Sequence, residues 1–208
     1  MASDDDLRQG NDEDPASPGS NVGHNKEERE VANFGLDLKG DFPPDDPGLD
    51  LPEAFATFTV DVDVAKAKSF LHACQTSQPR VKYGLGKKIK AGQVPGVDFT
   101  QVDCSGFVRE TLRRSTNLGS SFPDGSVVQH DWVRKKGCAH DTIQAGAKGD
   151  GAVRIAFMSP TDSPSGIGHV VLIVNGATLE SHGGVGPDSR PWTGNGWQAK
   201  SKVYVLTP

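Results

Sequence analysis

The dipeptide Asn175-Gly176 constrains the fold of the C-terminal half more than any other feature of the sequence. Asn-Gly is the strongest short-range signal for a two-residue β-hairpin, because both residues tolerate the positive φ angles of the tight turn. The apolar, β-branched segment 169–174 precedes the turn, and a segment of equal length, 177–182, follows it. The two segments are therefore predicted to be adjacent antiparallel strands.

The turn also predicts the register of the hairpin. With a two-residue loop, Val174 lies opposite Ala177, and the same register places His169 opposite His182. Cross-strand neighbours have Cβ atoms ~4.5–5.5 Å apart. The spacing therefore predicts two imidazoles side by side at the open end of the hairpin.

The remaining segments predict an α+β chain in which helices come first and an antiparallel sheet follows. Apolar residues at spacings of three and four indicate a helix from Val64 to Cys74, and a second helix is predicted after Asp103. Further strands are predicted at 152–157 and 202–206. Residues 1–54 are acidic and poor in large apolar side chains, so we expect a disordered tail before a folded domain at 55–208.

Composition and charge exclude several classes of function. A net charge of −5 argues against nucleic acid as a partner, because phosphate binding requires a basic face. The sequence contains no run of 18 apolar residues, so stable membrane insertion is not expected. The acidic N-terminus lacks the apolar segment of a secretory signal, so synthesis in the cytoplasm without a signal peptide is expected.

Cys104 is a candidate nucleophile. Asp103 is predicted to cap the helix that follows, which places the Cys104 sulfur in the first turn. The free N–H groups and the helix dipole at that point favour a thiolate. A small buried cysteine that packs a helix start would show the same local pattern. Cys74 and Cys138 are the other cysteines, and three are too few for a disulfide framework.

A cysteine nucleophile needs a base, and the base needs an orienting partner. His169 is predicted to be the base and His182 to hold it in the useful tautomer, which gives a Cys104–His169–His182 triad. Two alternatives stay open. The histidines could be an unrelated surface pair, or a zinc site could be built from Cys104, Cys138, His140, His169 and His182, although the Cys138–His140 separation is shorter than usual for zinc.

Several segments together resemble the NlpC family of papain-like cysteine peptidases, which hydrolyse peptides of bacterial cell walls. The resemblance covers residues 64–182 and is carried by Lys82-Tyr83-Gly84, by Asp103-Cys104-Ser105-Gly106-Phe107-Val108, by Pro123, Ser126 and Gln129, by Gly149-Asp150, and by His169 and His182 on their strands. Asp124 departs from the family, which often has Arg at that position, and the segment 158–168 is longer than a minimal loop.

The resemblance implies a papain-like fold, with the nucleophile helix packed on a central antiparallel sheet, and an enzyme without a cofactor. It implies hydrolysis of the peptidoglycan stem peptide at the bond between D-glutamate and the diamino acid. It further implies that Tyr83 lines the cleft, and that Asp103 and Ser105 read the free amine or the backbone of the substrate. A papain-like acyltransferase or deamidase, and an inactive wall-binding module, remain alternatives.

A wall hydrolase without a signal peptide needs another route to the wall of a target cell or to the extracellular space. Three routes are open. The protein could be an antibacterial toxin injected by a type VI secretion apparatus, it could be a phage enzyme, or it could be released by lysis. The acidic tail and the absence of wall-binding repeats favour an injected effector. Such an effector would require an immunity protein that plugs the cleft.

Overall fold

The computed structural model describes Phe42 and residues 58–208. The predicted disordered tail, residues 1–54, lies outside the described residues except for Phe42, and so does the predicted boundary at residue 55. Phe42 is buried, and its ring stacks on the His130 imidazole with 4.0 Å between the ring centroids. This single residue of the N-terminal segment is therefore part of the core.

The described residues contain both helices and strands, which confirms the predicted α+β class. In chain order the elements are α1 (Val64–Thr76), β1 (Lys82–Tyr83), β2 (Gln101–Val102), α2 (Cys104–Ser115), α3 (Ser126–Lys135), β3 (His140–Asp141), a 3₁₀ helix (Ile143–Ala147), β4 (Val153–Met158), β5 (His169–Val174), β6 (Ala177–His182), β7 (Gly186–Asp188), a second 3₁₀ helix (Gly196–Lys200) and β8 (Ser201–Thr207).

The central sheet has six antiparallel strands in the order β3-β8-β4-β5-β6-β7. The predicted hairpin is present as β5 and β6, joined by Asn175 and Gly176, which both have positive φ. The last strand, β8, returns to pair with the other side of β4. β1 and β2 form a separate small parallel sheet that packs against β7 and leads into α2.

The central strands are buried on both faces, which explains their nearly continuous apolar sequences. On one face, Phe107 and Leu112 of α2 share a core with Ile155 and Leu172 of the sheet. The opposite face carries a smaller apolar cluster of Ala156, Val171, Ile173, Trp192 and Val203, with Trp197 packed against it. In the part of the chain that the structure describes, no helix has both the length and the apolar character needed to cross a bilayer.

Candidate active site

Cys104 is the first residue of α2, and the Asp103 carboxylate caps the first turn of this helix. Asp103 Oδ1 accepts a hydrogen bond from Gly106 N at 2.7 Å, which is the predicted N-cap. The parallel pair places Tyr83 opposite Val102, two residues before Cys104. Ser181 Oγ of β6 donates to Val102 O at 2.8 Å, so the segment that leads into Cys104 is bonded directly to the hairpin.

Gln129 of α3 holds α2 from another side. Its Nε2 donates to Ser105 O at 3.0 Å and to Pro123 O at 2.9 Å, and the side chain is fully buried. The sequence pattern that contains Pro123 and Gln129 therefore has a structural role here. It joins the first turn of α2 to the loop before α3.

The Cys104 thiol lies at the start of β5, beside His169. Cys104 Sγ is 3.9 Å from Gly168 O, and both Cys104 and His169 are buried, with 4% and 1% of their surface exposed. The thiol interacts with the imidazole and contributes to the raised pKa of His169. His169 Nδ1 nevertheless makes no hydrogen bond of ordinary geometry with a described residue. The two groups thus interact without a well-aligned hydrogen bond.

The other nitrogen of His169 binds a carboxylate. His169 Nε2 lies 2.8 Å from Glu180 Oε2, and Glu180 is fully buried. Arg190 donates to both carboxylate oxygens, from Nε at 2.9 Å and from a terminal nitrogen at 2.7 Å, and the Thr178 hydroxyl donates to Oε1. Glu180 is therefore held in one orientation, with Oε2 directed at the imidazole.

The pKa values of this pair shift in opposite directions. Burial lowers the pKa of His169, but the interactions with Cys104 and Glu180 outweigh burial and raise it to about 9. Burial raises the pKa of Glu180, but the hydrogen bonds from His169 and Arg190 outweigh burial and hold it well below its usual range. Both shifts favour an imidazolium beside a carboxylate at neutral pH.

His182 does not contact His169 in the predicted way. Its Nδ1 lies 3.2 Å from Gly183 O, and its Nε2 lies 3.7 Å from Asp188 Oδ2, which is too long for a hydrogen bond. Burial and the nearby Arg190 lower the pKa of His182, so the ring is neutral at neutral pH. The orienting contact predicted for His182 is made by Glu180 instead, while the catalytic roles assigned to Cys104, His169 and His182 stay predictions.

The end of the hairpin ladder explains this difference. The register is as predicted near the turn, from Val174–Ala177 to Leu172–Leu179, but the ladder does not extend to His169 and His182. Glu180 and His182 are two residues apart on β6, so both side chains lie on the sheet face that carries His169. In the register of the hairpin, Glu180 is the diagonal neighbour of His169. An acidic residue in the middle of a buried strand was the sequence signal that could have identified it.

The other cysteines are in different surroundings. Burial raises the pKa of Cys74 to about 12 and that of Cys138 to about 11, so both are neutral thiols, and neither forms a disulfide. Within the described residues, no group of three His, Cys, Asp or Glu side chains could hold a metal ion. The alternative of a zinc site therefore finds no support in the arrangement of these residues.

The two side chains that flank Cys104 are already bonded to a lysine of the same chain. Lys88 Nζ lies 2.7 Å from Asp103 Oδ2 and 2.6 Å from Ser105 Oγ. Sequence reasoning did not identify Lys88, because this contact joins residues 15 and 17 positions apart that share no helix or strand. Tyr83, which the resemblance places at the cleft, is half-buried on β1 opposite Val102, two residues before Cys104.

The site thus consists of a thiol at a helix N-terminus, an imidazole at the start of a strand, and a buried carboxylate fixed by an arginine. A lysine bridges the two residues beside the thiol. No protein-family model matches the chain, and no curated protein is significantly similar to it.

Proposed function

We propose that this protein is a cysteine hydrolase of amide bonds, with Cys104 as nucleophile, His169 as general acid and base, and Glu180 as the orienting carboxylate. The observation that carries the proposal is the buried His169 Nε2–Glu180 Oε2 contact of 2.8 Å, on an imidazole that also contacts the Cys104 thiol. A nucleophile, a base and a group that orients the base are the three parts that covalent amide hydrolysis requires.

The reaction has two steps. The Cys104 thiolate attacks the amide carbonyl, so that a C–S bond forms and the carbonyl oxygen becomes an oxyanion. The C–N bond then breaks, and the leaving amine takes a proton from His169. Water, deprotonated by His169, adds to the thioester and releases the carboxylic acid and the free thiol. The Cys104 backbone N–H, at the start of α2, is the proposed donor for the oxyanion.

Glu180 and its neighbours keep the imidazole ready for both steps. Glu180 accepts from Nε2, which leaves Nδ1 for the thiol side. The Trp197 ring packs edge-on against His169 with 5.1 Å between the centroids, and Arg190 lies over Trp197 at 5.5 Å. Apolar cover of this kind keeps water from competing for the hydrogen bond between His169 and Glu180.

A papain-like arrangement is part of the proposal. The helix that carries Cys104 packs against β5 and β6, the strands that carry His169 and Glu180. This contact supports a fold in which a nucleophile helix lies on a central antiparallel sheet and meets the base at a strand end.

The proposed substrate is the peptidoglycan stem peptide, and the proposed bond is the one between D-glutamate and the diamino acid. The support is the resemblance of the motifs around Tyr83, Cys104 and His169 to NlpC-type peptidases. An antibacterial effector delivered by a type VI secretion apparatus, with an immunity protein as partner, is the biological setting we propose.

Digestion of purified peptidoglycan tests the proposal. Wild-type protein and a Cys138→Ala control should release peptides with a new amino group on the diamino acid, and Cys104→Ala should release none, as measured by mass spectrometry. Release by Cys104→Ala at the wild-type rate would contradict the role of Cys104. Transfer of the acyl group to an added amine in preference to water would favour an acyltransferase.

A further inference from the structure

The Lys88 ammonium occupies the space between the two side chains that flank the nucleophile. It lies 2.7 Å from Asp103 Oδ2 and 2.6 Å from Ser105 Oγ. The Lys88 side chain is 30% exposed, whereas the Asp103 side chain is only 4% exposed. The lysine therefore covers the carboxylate, and solvent or a substrate reaches the lysine first.

Asp103 has no acceptor position left for a substrate. Its Oδ1 accepts from Gly106 N at 2.7 Å and from Ser105 Oγ at 3.2 Å. Its Oδ2 accepts from Gly86 N at 3.1 Å and from Lys88 Nζ. A carboxylate offers about four lone-pair positions, and here all of them are used. A substrate ammonium could bind Asp103 only by displacing Lys88.

The charges around Lys88 already compensate each other. Asp124 accepts a hydrogen bond from Arg109, and its Oδ1 lies 3.9 Å from Lys88 Nζ. Two carboxylates, Asp103 and Asp124, thus face two cations, Lys88 and Arg109. A further ammonium would enter without a counter-charge of its own, which is unfavourable in a partly desolvated site.

Lys88 retains one donor for a substrate. An ammonium carries three N–H groups, and Asp103 and Ser105 take two of them. The third belongs to a partly exposed side chain that contacts both neighbours of Cys104, where it can donate to a carbonyl oxygen. The Asp103 carboxylate, which could have accepted from a substrate amine, is covered by Lys88. The Lys88 ammonium instead offers a hydrogen bond to an acyl oxygen.

Gly106 makes room for this arrangement. A Cβ at position 106 would lie 3.2 Å from Lys88 Cδ and 3.1 Å from Lys87 O. A side chain there would push the Lys88 stem away from the first turn of α2. The glycine of the nucleophile segment therefore allows the lysine to cross the start of the helix.

We propose that Lys88 determines the substrate class of this site, which takes a peptide whose amino end is acylated and disfavours one with a free ammonium. The inference rests on the proposed function, because it places the substrate beside Cys104. It replaces the expectation that Asp103 and Ser105 read a free amine. In wall chemistry, the acylated class is a stem peptide still joined to its glycan.

Two synthetic stem peptides that differ only in N-acetylation test the inference. Their binding is measured by calorimetry on full-length Cys104→Ala protein, which binds without turnover, and their kcat/KM is measured with active enzyme. The acetylated peptide should bind at least about tenfold more tightly, the size expected for one hydrogen bond from a charged donor. Adding Lys88→Met to the Cys104→Ala protein should reduce the ratio of the two peptide affinities to about one or reverse it. Lys88→Arg should keep the preference, and so should Lys90→Met, at an exposed neighbouring position.

The outcomes separate this inference from the proposed function. Equal or tighter binding of the free-amine peptide, or an unchanged ratio in a folded Lys88→Met variant, would overturn the role of Lys88. Preferential binding of the acetylated peptide without cleavage by active enzyme would support Lys88 and contradict the hydrolase. Binding of neither peptide would overturn both.

Discussion

His169 Nε2 and Glu180 Oε2 lie 2.8 Å apart, and both side chains are removed from solvent. The two residues are diagonal neighbours across the β5–β6 hairpin, at the end where its ladder of paired residues has stopped. Arg190 and Thr178 bind the same carboxylate, so it cannot turn away from the imidazole. This contact determines which nitrogen of His169 is available to Cys104.

Removing the Glu180 charge should affect turnover more than removing His182. We expect Glu180→Gln to lower kcat by about 10²- to 10⁴-fold, because the imidazole loses the group that fixes its tautomer and stabilises its charge. His182→Gln should lower kcat by less than about tenfold, because its ring nitrogens face Gly183 and Asp188. Steady-state kinetics on a stem peptide measure both, with circular dichroism to verify folding. An equal or larger loss in His182→Gln would return the orienting role to His182.

The pH profile of kcat should have an alkaline limb, a fall in rate at high pH, that is set by the deprotonation of His169. The raised pKa of about 9 means that the imidazolium persists to that pH and is lost above it, and the leaving amine then has no proton donor. Glu180→Gln removes one of the interactions that raise the pKa of His169, so the limb should move to lower pH. Asp188→Asn serves as the control, because Asp188 contacts His182 and Gln75 but not His169. A limb that stays in place in Glu180→Gln would contradict the coupling.

Arg190 should contribute to stability in a pH-dependent way. Arg190→Met leaves the buried Glu180 carboxylate without one of its charged donors, and we expect a loss of about 3 kcal/mol in the free energy of unfolding at pH 7. The pKa of Glu180 is lowered in the folded protein, so its contribution is present above its ordinary pKa of 4.5 and is lost as the pH falls below that value. The difference between variant and wild type should shrink in the same range.

Urea unfolding from pH 7 to pH 3 measures this difference. Arg80→Met is the matched control, because Arg80 is exposed and makes one long contact, 3.4 Å to Pro187 O. A difference for Arg190→Met that stays constant with pH would show that the lost stability is packing alone.

The close contact between β7 and β1 predicts a large difference between two glycine substitutions. A Cβ at Gly186, where φ is +99°, would lie 2.7 Å from Val81 O and 2.8 Å from Lys82 Cα. Gly184 has a φ of +82° and nothing within 4 Å of its Cβ position. Gly184→Ala should therefore lower stability by about 1 kcal/mol, from backbone strain alone. Gly186→Ala should lower it by about 3 kcal/mol or more, because backbone must move.

Chemical denaturation compares the two variants, and kcat/KM for a stem peptide reports on Tyr83, which β1 carries beside the nucleophile segment. Gly186→Ala should lower both quantities. Equal stability of the two alanine variants would mean that β1 is free to shift away from β7.

Thiol alkylation should distinguish the three cysteines. Burial raises the pKa of Cys74 and of Cys138 and keeps both as neutral thiols, so iodoacetamide should leave both unmodified in the folded protein. Cys104 should be carboxamidomethylated, and His169→Ala should slow its labelling. Peptide mapping by mass spectrometry locates the label. Equal labelling of Cys74 and Cys104 in folded protein would contradict a selectively activated thiol.

The local parts of the fold could be predicted because they depend on neighbouring residues. The strand predicted at 169–174 has the bounds His169–Val174, and the hairpin register follows from Asn175-Gly176. The N-cap at Asp103 also depends on a contact only three residues away. Turns, helix caps and hydrophobic periodicity are determined by residues within such short segments.

The parts that could not be predicted depend on contacts between distant segments. The far half of β6 pairs with β7, its Ser181 hydroxyl binds Val102 O, and its Glu180 carboxylate meets the His169 imidazole beyond the end of the hairpin ladder. Lys88 reaches Asp103 only because residues 84–88 run beside the nucleophile turn, where Asp103 N donates to Lys87 O at 3.0 Å. Neither contact leaves a periodic pattern in the sequence.

A trapped acyl-enzyme tests the central claim most directly. Enzyme that is turning over an N-acetylated stem peptide is quenched in acid, and its intact mass and peptide map are measured. We predict a mass increase equal to the acyl fragment, carried as a thioester on Cys104 and absent from Cys104→Ala. Product formation with Cys104 unmodified throughout turnover, or product formation by Cys104→Ala, would contradict the account.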